Sequence, residues 1–276
     1  MAMMVVLAVV VVTYGVSPGF AMMKADESGA VAGENSVLPL DMAENSVDDN
    51  YDGCKDKMKE RVTTYLENEK NNNEVFKAVW DSQEKYVLKK FKEGKTKSLE
   101  KDQIVAIYYY TSGEGDVYLD FNAAVRTQRP EYNTTFRYHA LHFLLTTAIQ
   151  DERAFEKIQC LTVYRRVDRY FRQDVKNTQI RFGSFTSASL GGYGKAERFG
   201  DKSCFEIFTC MGADISLYSK FGDWEAEVLI PPYEVFKVVE IKKRSTMQPD
   251  LPCDVVFKVD STNYSVSKLN CALFPK

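Results

Sequence analysis

The hydrophobic pattern of the chain changes at Cys160, and this change limits the possible fold more than any other feature. Before it, apolar residues recur at helical spacing, as Phe76, Trp80 and Phe91 do in NNEVFKAVWDSQEKYVLKKF, where Asn73 is placed to cap the helix. After it, short β-branched and aromatic runs are bounded by Gly, Pro, Asn or Asp, as strands are: CLTVYR, TQIRFGSFTSA, CFEIFTCMG, DISLYS, EAEVLI, YEVFKVVEI and CDVVFKVD. Helices followed by strands predict an α+β domain.

Two further stretches before Cys160 bear on the helical region. FRYHALHFLLTTAIQ repeats the helical spacing and predicts a second long helix. IVAIYYYTSGEGDVYLDFNAAV mixes helix and loop signals, so its structure stays open.

The first residues predict export. The run MAMMVVLAVVVV is apolar, and Gly19-Phe20-Ala21 supplies small residues where a signal peptidase would cut, so residues 1–21 are predicted to be a signal peptide. The alternative is a retained anchor, although the run is shorter than the roughly 20 residues needed to span a bilayer. The final KLNCALFPK lacks the apolar tail of a lipid-anchor signal, which predicts a secreted protein with no stable membrane anchor.

Composition divides the rest of the chain and excludes some partners. Residues 22–53 are polar, acidic and without periodicity, and are predicted to form a flexible lead-in to a single domain over 54–276. The 36 basic and 39 acidic residues are spread along the chain, so nucleic acid is not an expected partner. Asn133 and Asn263 begin glycosylation sequons, which fit an exported surface.

Six cysteines predict three disulfides in an exported chain, although six allow 15 pairings. There is no CxxC and no Cys/His cluster, and the chain's two histidines, His139 and His142, lie in an apolar helical stretch. They are interpreted as helix residues rather than as metal ligands, because a zinc site needs three or four converging donors.

The segment GDWEAEVLIPP places two glutamates at the start of an apolar run. On a strand, Glu225 and Glu227 would share one face; the spacing alone also fits a solvated strand edge. Ser187 would share a face with its neighbouring serine in FTSAS in the same way, and Arg165 ends the apolar strand VYR, where burial would require an anionic partner. A cation, a hydroxyl pair and a carboxylate pair could line one cleft.

The order Arg165, Ser187, Glu225 and Glu227 resembles the R-S-E signature of the mono-ADP-ribosyltransferases, in the vertebrate ecto-enzyme branch that modifies arginine. Seven stretches in order are similar to that branch: LDMAENSVDDNYDGC, FNAAVR, LHFLLT, VYR, FGSFTSASL, FEIFTCMGADISLYS and EAEVLIPPYEVFKV. The resemblance implies one catalytic domain, with a helical N-terminal region packed on two facing sheets that hold NAD in a cleft. It also implies ADP-ribose transfer from NAD to arginine side chains of acceptor proteins, without a metal.

The resemblance assigns a role to each site residue. Arg165 would bind the phosphates of NAD, and Ser187 would orient the catalytic glutamate. Glu227 would bind the ribose and stabilise the positive charge that forms as nicotinamide leaves, while Glu225 would bind and activate the acceptor guanidinium. Phe199 would pack on nicotinamide.

The same resemblance implies an acceptor-contacting loop and a disulfide pattern. Tyr218, Phe221 and Trp224 would contact the acceptor protein. Arg166 stands where many relatives carry glycine, and could add charge to the phosphate pocket. The implied disulfides are Cys54–Cys271, Cys160–Cys210 and an extra bridge, Cys204–Cys253.

Three alternatives to arginine modification stay open. In an NAD glycohydrolase, water replaces the acceptor and Glu225 is not needed. Paired carboxylates also serve glycoside hydrolases, although there they flank the bond from different strands. A catalytically silent secreted protein that kept the fold for binding is the third.

Overall fold

The computed structural model describes residues 37–91, 98–157 and 159–274. The predicted signal peptide and residues 22–36 of the predicted lead-in lie outside these ranges. The described helices are α1 Lys55–Asn72, α2 Glu74–Lys90, α3 Lys101–Thr111, α4 Val117–Thr127, α5 His139–Glu156 and α6 Gly192–Lys195. The described strands are β1 Val37–Leu38, β2 Leu161–Val167, β3 Tyr170–Phe171, β4 Gln179–Ile180, β5 Thr186–Ser189, β6 Ser203–Thr209, β7 Ala213–Asp214, β8 Glu227–Ile230, β9 Glu234–Lys243 and β10 Val255–Ser265.

The long helices begin where local chemistry satisfies their first backbone N–H groups. The Asn73 side chain accepts a hydrogen bond from Phe76 N at 3.0 Å, which confirms the predicted cap of α2. At α5 the acceptor comes from another helix, because the buried Glu69 carboxylate of α1 accepts from Ala140 N at 2.6 Å. The stretch left open by the sequence forms α3 and α4.

The α+β prediction is confirmed, and the two expected sheets are joined into one. Eight strands pair in the order β4-β9-β10-β6-β2-β5-β8-β7, and β1 pairs with β3 in a separate small sheet. Between β2 and β5 the register contains one residue pair, Tyr164 with Ser189. The sheet therefore has two halves that meet along a short seam. One apolar core lies among the helices, and a second lies on the sheet.

Three strand predictions need correction. TQIRFGSFTSA is not one strand, because it contains β4 and most of β5, which are not neighbours in the sheet. DISLYS is not a strand: β7 ends at Asp214, and Ser216–Tyr218 forms a 3-10 turn. EAEVLI becomes a strand only at Glu227, because Gly222–Trp224 is also a 3-10 turn and the left-handed Ala226, with φ 46°, separates it from β8.

The flexible lead-in prediction is wrong for residues 37–53. Val47, Asp48 and Asp49 are fully buried. Asp48 forms an ion pair of 2.7 Å with Arg181, and both side chains are inaccessible to solvent. Asp49 accepts a 2.8 Å hydrogen bond from the Tyr132 hydroxyl, and burial raises its pKa to about 6. The acidic residues that look solvated in the sequence have distant partners, so the folded domain begins before residue 54.

The disulfides are Cys54–Cys271, Cys160–Cys210 and Cys204–Cys253, as the resemblance implied. Across the described ranges, no helix is long and apolar enough to cross a bilayer. Both sequon asparagines, Asn133 and Asn263, are exposed.

Candidate active site

Three neighbouring strands bring Arg165, Ser187 and Glu227 together. Arg165 lies on β2, Ser187 on β5 and Glu227 at the start of β8, and these strands are adjacent in the sheet. The Arg165 guanidinium donates to the Ser187 carbonyl oxygen at 2.8 Å, across the seam between β2 and β5. The half-buried guanidinium thus lies beside the seam, close enough to Glu227 to lower the pKa of that carboxyl.

Hydroxyl groups surround the buried Glu227 carboxylate. The Ser219 hydroxyl donates to Glu227 Oε2 at 2.8 Å. Burial raises the pKa of Glu227 above its ordinary value, and the hydroxyls of Ser187 and Ser219 together with the charge of Arg165 oppose this rise. Glu227 is therefore held in place on one side by donors that favour its charged form.

The backbone conformation of Glu225 differs from the predicted one. It lies in helical rather than strand conformation, with φ −93° and ψ −24°. The left-handed Ala226 then turns the chain, so that both carboxylates are buried instead of sharing a strand face. Ser189 fixes this bend, because its hydroxyl donates to the Glu225 carbonyl oxygen at 2.7 Å. The burial of both glutamates of ExE therefore goes with a backbone bend between them.

The charge of Glu227 acts on the neighbouring Glu225 carboxyl. Burial, followed by the charge of Glu227, raises the pKa of Glu225 to about 8, against the effect of Arg198. Glu225 Oε2 and Glu227 Oε1 are buried and have no hydrogen-bond partner among the described residues. A buried oxygen without a donor is costly. Two such oxygens in one place suit a ligand that brings hydroxyl or N–H donors, as a ribose or a guanidinium does.

Aromatic rings flank Glu225, but not all as predicted. Trp224 is 57% exposed, in keeping with the predicted acceptor side. Tyr218 is buried, with its hydroxyl 3.2 Å from the Ser98 hydroxyl, so the prediction that it contacts an acceptor protein is wrong. The Phe199 ring packs against the Arg198 guanidinium at 4.3 Å. Its contact with nicotinamide stays a prediction.

Arg166 has a structural role on the opposite face of β2 from Arg165. Its Nε donates to the Gly200 carbonyl oxygen at 2.7 Å, which ties the Phe199 turn to the strand. Gly200 has φ +122°, and a Cβ there would lie 2.5 Å from the backbone nitrogen of Asp168. Only glycine fits this close approach. Arg166 thus anchors the turn. This contact explains the arginine at this position without the predicted extra positive charge in the phosphate pocket.

Sequence reasoning missed two residues of the site. Ser219 donates to Glu227, and Arg198 forms an ion pair with Glu225. Ser219 ends the stretch FEIFTCMGADISLYS, which carries part of the family resemblance, but nothing in that stretch marks the serine as a partner of Glu227. For Arg198 the signal was that ERFG follows FTSAS, so that a cation comes soon after the serine strand.

Comparison with known proteins identifies the family and the fold of the chain. A family model described as NAD:arginine ADP-ribosyltransferase matches residues 40–250. The chain belongs to this family. The match begins within the segment predicted to be a flexible lead-in, in agreement with its burial.

Relatives and solved structures extend the match. The mouse ecto-ADP-ribosyltransferase 5 is 32% identical over 86% of this chain and 76% of its own length. The chicken erythroblast NAD(P)(+)--arginine ADP-ribosyltransferase is 35% identical, over 78% of this chain and 72% of its own. A mutant of the eukaryotic mono-ADP-ribosyltransferase ART2.2 in complex with NADH superposes with a TM-score of 0.69 at 30% identity, covering 86% of this chain and all of that one.

Proposed function

We propose that the protein transfers ADP-ribose from NAD to arginine side chains of acceptor proteins, with Arg165, Ser187, Glu225 and Glu227 as its site residues. One observation carries the proposal: two buried carboxylates lie together, each with an oxygen that lacks a donor among the described residues. A site with two such carboxylates can bind two different cationic or hydroxyl-bearing groups.

Glu227 is the carboxylate for the ribose side. When the bond between the ribose carbon and nicotinamide breaks, its electron pair leaves with nicotinamide and positive charge develops on the carbon. A fixed carboxylate stabilises that charge more than it stabilises intact NAD. Ser219 and Ser187 hold the carboxylate, and Oε1, which has no hydrogen-bond partner among the described residues, is available for a ribose hydroxyl. Arg165, at the seam, is the donor for the NAD phosphates.

Glu225 is the carboxylate for the acceptor side. A guanidinium is protonated at neutral pH and is a poor nucleophile. When its nitrogen forms the new bond to the ribose carbon, a proton leaves that nitrogen, and Glu225 accepts it. The raised pKa of about 8 suits this step, because a base with a pKa near the working pH transfers protons most effectively.

The test compares two single variants of the full-length, oxidised protein with NAD and agmatine, a small guanidino acceptor. We expect Glu227→Gln to lose both transfer and NAD cleavage, by about 10²- to 10³-fold in kcat. Glu225→Gln should lose transfer but keep NAD hydrolysis. Unchanged transfer in Glu225→Gln would refute its role, and NAD hydrolysis by the wild type with no ADP-ribosyl agmatine would identify a glycohydrolase.

We also propose that the protein is secreted. Three disulfides are typical of an oxidising compartment. A related mouse enzyme is named as GPI-linked, and is 35% identical over 74% of this chain. Expression in animal cells distinguishes a secreted protein from a GPI-anchored one. Protein in the medium supports secretion, whereas membrane-bound protein released by a phosphatidylinositol-specific phospholipase would contradict it.

A further inference from the structure

The side chain of Arg198 connects the turn after α6 to the loop before β8. It belongs to the 3-10 turn Glu197–Phe199, which follows β5 and α6. Its guanidinium forms an ion pair with Glu225 Oε1, 27 residues further along the chain. The same guanidinium lies 4.3 Å from the centroid of the Phe199 ring and 4.3 Å from that of Trp224.

These contacts are those that a receptor for a guanidinium needs. Aromatic faces attract a planar cation, and a carboxylate accepts its N–H donors. Phe199 and Trp224 supply the faces and Glu225 supplies the carboxylate. The Glu225 side chain is fully buried while that of Arg198 is 32% exposed, so Arg198 covers the carboxylate from the solvent side.

A second contact holds the same two segments together. Lys195 Nζ donates to the Asp223 carbonyl oxygen at 2.7 Å, one residue before Trp224. The segment 192–199 is thus fastened to the loop 222–225 at two points, through Lys195 and through Arg198. An acceptor arginine that approaches Glu225 from solvent meets Arg198 first.

We propose that Arg198 is a built-in competitor of the acceptor, which occupies the guanidinium position on Glu225 until a substrate arginine displaces it. The inference rests on the proposed role of Glu225. It predicts that this enzyme discriminates against small free guanidino compounds and favours acceptors that engage its surface elsewhere. Trp224, the most exposed ring of the set, is then shared between the competitor and the acceptor.

The size of the effect follows from the fraction of time for which the site is open. If Arg198 leaves Glu225 open to an acceptor for about one to ten per cent of the time, the apparent KM for agmatine is about 10- to 100-fold higher than that of an open site. Removal of the competitor should therefore lower the KM for agmatine by about tenfold or more. Arg198→Lys keeps the charge but not the planar stacking, so it should give an intermediate KM.

The experiment measures transfer from NAD to agmatine by the full-length wild type, Arg198→Gln, Arg198→Lys and the control Arg172→Gln. Arg172 forms an exposed ion pair with Asp174, outside the site, and its variant should behave as the wild type. We expect the KM for agmatine to fall in the order wild type, Arg198→Lys, Arg198→Gln, while the KM for NAD changes by less than about twofold.

The outcomes separate this inference from the proposed function. Transfer with an unchanged or higher KM for agmatine in Arg198→Gln would overturn the competitor role and leave the proposed function standing. NAD cleavage without transfer in every variant would overturn both, because there would be no acceptor site for Arg198 to occupy. A fall in the KM for agmatine that Arg172→Gln also shows would overturn the competitor role as well.

Discussion

Replacing the buried Arg181 with methionine should lower the free energy of unfolding more than replacing an exposed arginine does. Arg181 is buried between the N-terminal segment and the C-terminal tail. It donates to Asp48 Oδ2 at 2.7 Å, to the carbonyl oxygens of Met42 at 2.7 Å and Ala43 at 2.9 Å, and to that of Val266 at 3.1 Å. Methionine would fill much of the space but donate to none of these groups.

The magnitude follows from what the variant leaves behind. Breaking a buried ion pair from one side costs about 3–5 kcal/mol, because the remaining charge stays buried without its partner. Among the described residues, the Asp48 carboxylate would keep one partner, the 3.0 Å hydrogen bond that its Oδ1 accepts from Leu269 N. Three carbonyl oxygens would also lose a donor. We therefore expect the free energy of unfolding to fall by at least about 3 kcal/mol.

The assay is urea unfolding of the oxidised protein, followed by tryptophan fluorescence. Arg172→Met is the matched control, since its ion pair with Asp174 is exposed and should contribute little to stability. Adding Asp48→Leu to Arg181→Met should recover part of the loss, because it removes the buried charge. A loss in Arg181→Met no larger than that in the control would refute the reasoning.

Three further predictions concern pH and the backbone. His142 is buried, with Nδ1 2.8 Å from the Tyr51 hydroxyl and Nε2 3.0 Å from the Val47 carbonyl oxygen. Burial lowers the pKa of His142 from 6.5 to about 3. The stability that neutral His142 contributes is therefore complete above pH 6.5 and is lost as the pH falls towards 3, by up to about 5 kcal/mol. In urea titrations at pH 4 and pH 7, the free energy of unfolding of His142→Gln should depend less on pH than that of the wild type. Because burial and Glu227 raise the pKa of Glu225 to about 8, kcat/KM for agmatine should rise as the pH increases through 8, and a flat profile would contradict its role as base. Gly200→Ala should clash with the neighbouring backbone and lower the melting temperature together with transfer activity, whereas full activity would show that the turn can move.

The sequence predicted the parts of the fold that depend on local chemistry. The cap at Asn73 and the helical spacing of Phe76 and Trp80 are properties of neighbouring residues, and α2 forms as predicted. The order of Arg165, Ser187 and Glu227, together with the family resemblance, was enough to expect them on strands that line one cleft, but not to predict that these strands are adjacent. The disulfides followed from the same resemblance and not from spacing.

What the sequence could not predict depends on contacts between distant residues. Asp48 looks solvated until Arg181, 133 positions later, is known to face it. Glu225 was expected on a strand, because the alternation of ExE gives no sign of the left-handed Ala226 between the glutamates. Arg198 has no motif, and its effect on the site depends entirely on where the turn after β5 directs its side chain.

The disulfide pattern has a consequence for proteolysis. The hairpin between β9 and β10 is exposed, and Met247 at its tip is 93% exposed, which makes this the natural place for an extracellular protease to cut. Both cysteines beyond the tip, Cys253 and Cys271, are bonded to partners before it. A cut at the tip would therefore leave one covalent molecule with the carboxylate site intact, and its two fragments would separate only after reduction.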